Sequence, residues 1–63
     1  MEKSVEEYLK RIIGDMKGDT KFQQSFFLEV KAVLNRFSDE RQRKILKSFE
    51  DRVDEMRVFV DNQ

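Results

Sequence analysis

Residues 22–37 read FQQSFFLEVKAVLNRF, and this stretch decides the fold class. It holds four of the six phenylalanines of the chain. Seven of its eight large apolar side chains recur at spacings that place them on one side of an α-helix. They are Phe22, Phe26, Phe27, Val30, Val33, Leu34 and Phe37. A stripe this wide needs apolar partners on two sides, so we expect this helix to lie centrally in a helical bundle.

A shorter amphipathic helix precedes this stretch. Ser4 and Glu7 have the spacing of a capping box, in which each side chain bonds the backbone amide of the other residue. Apolar residues then follow at helical spacing from Val5 as far as Met16. We therefore predict a first helix over residues 4–17.

A short connection joins the first two helices. Gly18 suits the left-handed conformation that ends many helices. Thr20 and Gln23 form a second capping box, which predicts the second helix over residues 20–37. Because the connection is so short, we expect the two helices to form an antiparallel hairpin.

The boundary between the second and third helices is marked less sharply. Ser38 followed by two acidic residues is typical of a helix start, yet no Gly or Pro stands between Phe37 and Ile45. One continuous helix would turn the apolar stripe by roughly a quarter of a turn at this point. We therefore predict a break and a third helix over residues 39–61. The alternative is a two-helix hairpin with a long, bent second arm.

The chain is thus predicted to be one all-α domain over residues 1–63, an antiparallel three-helix bundle. In a domain this small the core rarely supplies more than about 3–5 kcal/mol, and disulfides, metals or oligomerisation often add stability. The sequence contains no Cys and no His, which removes disulfides and the usual zinc ligands. Oligomerisation is the means that is left, and we expect an intracellular location.

The composition argues against an enzyme. No His or Cys is available as a base or nucleophile, and there is no glycine-rich phosphate loop. The acidic residues of the third helix lack the loop oxygens that a cation site needs. We expect no catalytic residue, cofactor, metal or small-molecule substrate. No membrane association is expected either, because no apolar run approaches the roughly 18 residues of a spanning helix.

The third helix carries a heptad-like seam. Its members are Gln42, Leu46, Phe49, Val53, Met56 and Val60. The first half of this helix is basic and the second half acidic, so two copies laid antiparallel would pair opposite charges about a twofold axis. We predict a homodimer, or binding to another helical protein, through these apolar faces. The predicted interface residues are Leu28, Leu46, Phe49, Val53, Met56 and Val60. The alternative is that the charges form a solvated surface.

A second hypothesis is a small nucleic-acid-binding regulator that contacts DNA or RNA as a helical-bundle dimer. The predicted contacts are Arg43, Lys44 and Lys47. The net charge of the chain is zero and the same helix carries nearly as many acids as bases. Because phosphate binding needs an excess of positive charge, nucleic acid is not the partner that we expect.

Residues 6–37 resemble the BESS motif, a two-helix segment of insect chromatin and transcription regulators. The resemblance rests on the segments EEYLKRIIGDMK and FFLEVKAVL, although Gly14 stands where that family usually has proline. It implies protein–protein association, including self-association, in a nuclear regulatory protein. A second likeness, from Leu34-Asn35 and the helix that follows, is to small plasmid-encoded regulators of the Rop type. That likeness implies RNA binding by a dimer.

Overall fold

A computed structural model describes residues 1–16 and 18–61, with side chains as far as residue 56. It contains three helices, α1 (Lys3–Gly14), α2 (Thr20–Leu34) and α3 (Asp39–Asp61), and no strand in the described residues. The prediction of an all-α three-helix bundle is confirmed. The two-helix alternative is wrong, because residues 35–38 leave the helical conformation between α2 and α3.

The bundle is centred on α1, and the prediction that α2 lies centrally is wrong. Helix α1 packs against both α2 and α3. Of the seven apolar side chains that are buried among the described residues it supplies four, and Leu9 is completely buried. The buried apolar residues are Val5, Leu9, Ile12, Ile13, Leu34, Leu46 and Val53. Only Leu34 of this set belongs to α2.

Both ends of α1 differ from the prediction. The N-cap is Glu2, with no side-chain cap bond, so the predicted capping box at Ser4 and Glu7 does not form. At the other end the amide of Asp15 donates to the carbonyls of Arg11 and Ile12 in a tightened last turn. Helix α1 therefore ends at Gly14 rather than at residue 17.

Helix α2 begins at Thr20 as predicted, but its cap is the preceding residue. Asp19 Oδ1 accepts a hydrogen bond from the amide of Phe22 at 2.7 Å, whereas Thr20 lies inside the first turn. The Gln23 side chain does not complete a capping box with Thr20. Its Nε2 donates to the carbonyl of Met16 at 2.9 Å and so ties the start of α2 to the chain just after α1.

A compact turn separates α2 from α3. Helix α2 ends at Leu34, three residues earlier than predicted, and the amide of Phe37 donates to the Leu34 carbonyl at 2.9 Å. The predicted start of α3 is confirmed, because Ser38 Oγ accepts from the amide of Arg41 at 3.3 Å.

Gln42 connects this turn to the core. Its side chain is buried, and Nε2 donates to the carbonyls of Leu34 and Phe37, each at 2.9 Å. The Leu34 carbonyl lies at the end of α2, where the amide of Phe37 is its other donor, and the Phe37 carbonyl lies in the turn that follows. Gln42 Oε1 is buried and has no protein partner. The sequence pattern placed Gln42 on the seam of α3, but it did not predict that Gln42 caps the end of α2.

Candidate interaction surface

Helix α2 leaves several large apolar side chains in solvent. Phe22 is 52% exposed, and Val33 is exposed as well. Phe37, which lies just after the helix, is also exposed. Phe22 and Val33 lie four and seven residues from Phe26, so these three side chains follow one line along α2, and Phe37 lies in the turn after the helix. This line is the part of the wide apolar stripe that α1 does not cover.

Stacked aromatic rings connect this line to α3. The Phe22 and Phe26 rings are stacked, with centroids 5.8 Å apart. The Phe26 ring meets Phe49 of α3 edge to face at 6.0 Å. Offset and edge-to-face pairs of this kind add about 0.5–1.5 kcal/mol beyond the burial of their area. These ring contacts therefore join the exposed side of α2 and the exposed side of α3 into one continuous surface.

Met56 extends this surface along α3. It lies seven residues after the half-buried Phe49, on the same side of the helix, and it is 67% exposed. We call the combined surface the apolar face. Its residues are Phe22, Phe26, Val33, Phe37, Phe49 and Met56. Contiguous exposed apolar side chains are typical of interaction sites, whereas single ones are ordinary.

The structure separates the predicted interface residues into three groups. Leu46 and Val53 are buried in the core of the chain itself, so they are not available to a partner of this folded chain. Phe49 and Met56 belong to the apolar face. The Val60 side chain lies outside the described residues. Leu46 and Val53 therefore pack inside the single chain, while contact of Phe49 and Met56 with a second chain stays a prediction.

Leu28 is exposed but belongs to a different surface. It is 63% exposed, close to the value for Met56. Leu28 comes two positions after Phe26 in the sequence, which places it about 200° around α2 from that ring. It is therefore an isolated exposed aliphatic side chain on the opposite side of α2 from the apolar face.

The basic residues predicted to contact nucleic acid each have a carboxylate partner. Arg43 forms an ion pair with Glu2 of α1. Lys44 lies 3.6 Å from Glu40, and Lys47 lies 3.5 Å from Asp51. Asp51, with a smaller contribution from Glu50, raises the pKa of Lys47. These carboxylates compete with any phosphate for the same three side chains.

A polar contact fixes the rotation of α3 against α1. The Tyr8 hydroxyl donates to Glu50 Oε1 at 3.0 Å, and Arg11 lies 3.5 Å from Glu50 Oε2. Burial and then the bond to Glu50 raise the pKa of Tyr8. Because Glu50 is held on the α1 side, its neighbour Phe49 is directed toward α2. This polar contact was not predicted, since residues 42 positions apart carry no local sequence pattern.

The described residues offer little for other kinds of site. No three acidic side chains among them are placed to hold a metal ion. No described helix has both the length and the apolar content needed to cross a bilayer. A depression of about 230 Å³ between the end of α1 and the start of α2 is lined by Ile13, Gly14, Gln23 and Phe27, among others. It contains no cluster of titratable groups.

Comparison with known proteins does not place this chain in a family. No family model matches it, and no curated protein or solved structure is significantly similar. The resemblance to the BESS motif stays a prediction.

Proposed function

We propose that this chain is a non-enzymatic protein–protein interaction module that self-associates through its apolar face. The observation that carries the proposal is the ladder of Phe22, Phe26 and Phe49, extended by the exposed Met56. The BESS resemblance, which implies self-association in regulatory proteins, is consistent with this role.

The energetic argument starts from the area that the fold leaves in water. Burying one large apolar side chain completely gains about 1.5–3 kcal/mol. In a twofold dimer each residue of the face is used twice, so completing the burial of Phe22 and Met56 already gives several kcal/mol. Association costs about 4–15 kcal/mol in lost translational and rotational freedom, which the complete face has to exceed.

Self-association also answers the problem of size. The chain has 63 residues, and the part with described side chains buries seven apolar ones, which is a small core. Because a partner that binds only the folded state shifts the folding equilibrium toward that state, a dimer would stabilise this core by mass action.

The test is the mass in solution by light scattering over a concentration series. We expect a concentration-dependent dimer of the wild-type chain. Met56→Glu places a charge in the apolar face and should weaken the dimer at least about tenfold. Because Met56 is mostly in water in the single chain, the helical circular dichroism signal should be unchanged.

Leu28→Glu is the matched control. It adds the same charge at a similarly exposed aliphatic position on the other side of α2, and we expect its dissociation constant to equal that of the wild type. Equal weakening by both variants would remove the apolar face as the interface. A wild-type chain that stays monomeric up to millimolar concentration would overturn self-association itself.

The nucleic-acid hypothesis has less support than self-association. Arg43, Lys44 and Lys47 already have carboxylate partners. Binding of a labelled oligonucleotide that is lost in the Lys44→Ala, Lys47→Ala double variant would reverse this preference.

A further inference from the structure

A second stripe runs along α3 beside the apolar face. We call it the outer stripe. Its residues are Arg41, Ile45, Ser48, Arg52 and Glu55. Each of them directly precedes a residue of the seam that begins with the buried Gln42. One residue is about 100° of helix rotation, so the outer stripe is turned from the buried side of α3 toward solvent. All of its members except the half-buried Ile45 are exposed.

The outer stripe has opposite charges at its two ends. Arg41 lies seven residues before Ser48, and Glu55 lies seven residues after it. Seven residues are close to two helical turns, so the three side chains are nearly in line along α3. Lys44 and Asp51 flank the same line, four residues before and three residues after Ser48.

We propose that two copies of the chain pack α3 against α3 in opposite directions, with the twofold axis at Ser48. This inference rests on the proposed self-association and specifies its geometry. Residues at equal distances from Ser48 then face each other across the axis. Arg41 of one copy meets Glu55 of the second copy, and the symmetry forms this pair twice. By the same rule Lys44 lies opposite Arg52 of the second copy, and Asp51 of that copy, one residue before Arg52, lies within reach of Lys44 as its carboxylate partner.

The contacts within one chain do not oppose this pairing. Lys44 lies 3.6 Å from Glu40 and Asp51 lies 3.5 Å from Lys47, and all four side chains are exposed. Exposed pairs of this spacing contribute only tenths of a kcal/mol, so they exchange readily for pairs between chains.

Arg41 links the charged stripe to the apolar face. Its guanidinium lies over the Phe37 ring at 5.5 Å, and Phe37 belongs to the apolar face. The outer stripe and the apolar face therefore share a border, and a second copy that contacts one reaches the other. Such an arrangement, with charged residues beside an apolar centre, is usual in protein interfaces.

The shape of α3 is consistent with this geometry. A shallow depression of about 460 Å³ lies over the first half of the outer stripe, lined by Arg41, Lys44, Ile45 and Ser48 among others. Glu40, eight residues before Ser48, also borders it. The position opposite Glu40 in the proposed register is Met56 of the second copy, an exposed apolar side chain. Ser48 is small, which allows the two helices to approach closely at the axis.

The test uses charge reversals at the two ends of the stripe. Arg41→Glu alone and Glu55→Arg alone each place two like-charged pairs in the interface and should weaken the dimer about tenfold. The double variant restores opposite charges in the proposed register, so its dissociation constant should return to within about twofold of the wild type. Both positions are exposed, and circular dichroism should show folded chains in every case.

The single variants, compared with the double variant, decide between registers. In a parallel pair of α3 helices Arg41 would meet Arg41 and Glu55 would meet Glu55, so each single reversal would keep two like-charged pairs and leave the dissociation constant near that of the wild type. Mixing the two single variants should give a heterodimer, because one then carries only acids and the other only bases at these positions. Lys3→Glu, an equal change of charge at an exposed position of α1, should leave the dimer unaffected.

The outcomes separate the register from the self-association on which it rests. Suppose that the wild type dimerises and Met56→Glu weakens this dimer, but the double reversal binds no more tightly than the single reversals. This result would overturn the register and leave the interaction module in place. A wild-type monomer would overturn both. Restoration in the double variant, with Lys3→Glu equal to the wild type, supports the axis at Ser48.

Discussion

Helices α1 and α2 are both amphipathic, yet they use their apolar side chains differently. Helix α1 has 12 residues and buries four apolar side chains. Helix α2 has 15 residues and three phenylalanines, and it buries only Leu34. The helix with more aromatic side chains is thus the less buried one. The apolar content of a helix therefore does not by itself indicate its position in the bundle.

The reason lies in the number of neighbours that each helix has. Helix α1 lies against both other helices, which cover its narrow stripe completely. Helix α2 relies mainly on α1, and one neighbour covers only part of a stripe that includes both Phe22 and Phe27. The uncovered part, with Phe49 and Met56 of α3, is the apolar face. Helix α1 buries most of the described core, and α2 provides much of the surface through which we propose association.

Leu9→Ala is the largest test of this difference. Leu9 is fully buried in α1, so its truncation should cost about 2–5 kcal/mol of unfolding free energy. A domain of this size has about 3–5 kcal/mol available, so we expect a chain that is largely unfolded at 25 °C. Phe22→Ala removes a larger side chain from α2, but half of it is already in water, and the cost should be about 1 kcal/mol.

Urea denaturation followed by circular dichroism measures both values. Dilute protein is required, because the proposed self-association would add to the stability of any variant that retains the apolar face. If Phe22→Ala were as damaging as Leu9→Ala at the lowest concentration, α2 rather than α1 would be the structural centre.

Local sequence patterns predicted the helices well and their arrangement less well. The presence of a break before α3 was correctly predicted from the phase of the apolar stripe, and Ser38 is the cap of α3, although α2 ends at Leu34 rather than at residue 37. The helix at the centre of the bundle was not predicted correctly. Periodicity shows which side of a helix is apolar, but it does not show how many neighbouring helices cover that side. The cap of α2 was assigned to Thr20, since Asp19 and Thr20 are both good caps and only the backbone decides between them.

The candidate surface shows the same limit. Phe49 and Met56 were among the predicted interface residues and lie on the apolar face. Phe22 was expected to be covered by neighbouring helices, because it belongs to the same helically spaced apolar stripe as the buried Leu34. Leu46 and Val53 were assigned to a dimer, because a seam that α1 covers has the same sequence pattern as one that a second chain covers. Tertiary contacts distinguish these cases, and they involve residues far apart in sequence.

Gln42→Met tests how firmly the end of α2 is held. Methionine has a similar volume but cannot donate to the carbonyls of Leu34 and Phe37. The Phe37 carbonyl loses its side-chain donor and the Leu34 carbonyl keeps only the amide of Phe37, although the unpaired Gln42 Oε1 is also removed. We expect a loss of about 1–3 kcal/mol, smaller than that of Leu9→Ala.

Amide hydrogen exchange locates this effect. Protection should fall most in the last turn of α2 and at Phe37, while the amides of α1 should follow the global loss of stability. A variant as stable as the wild type would mean that the removal of the unpaired oxygen offsets both lost bonds.

The two glycines give the smallest test, and they should differ in sign. Gly14 is the exposed last residue of α1, and a Cβ there would meet nothing within 4 Å. Because alanine restricts the unfolded chain and favours the helix, Gly14→Ala should stabilise the protein by about 0.5–1 kcal/mol.

Gly18 precedes α2 with φ at +154°, and a Cβ there would lie 3.2 Å from Cδ1 of Phe22. Gly18→Ala should therefore cost about 1 kcal/mol or more. It should also disturb the Phe22 ring and so weaken the dimer, an effect that Gly14→Ala should lack. Thermal unfolding and light scattering of the two variants measure these effects, and equal shifts in both would contradict the assignment of α1 to the core and α2 to the interaction surface.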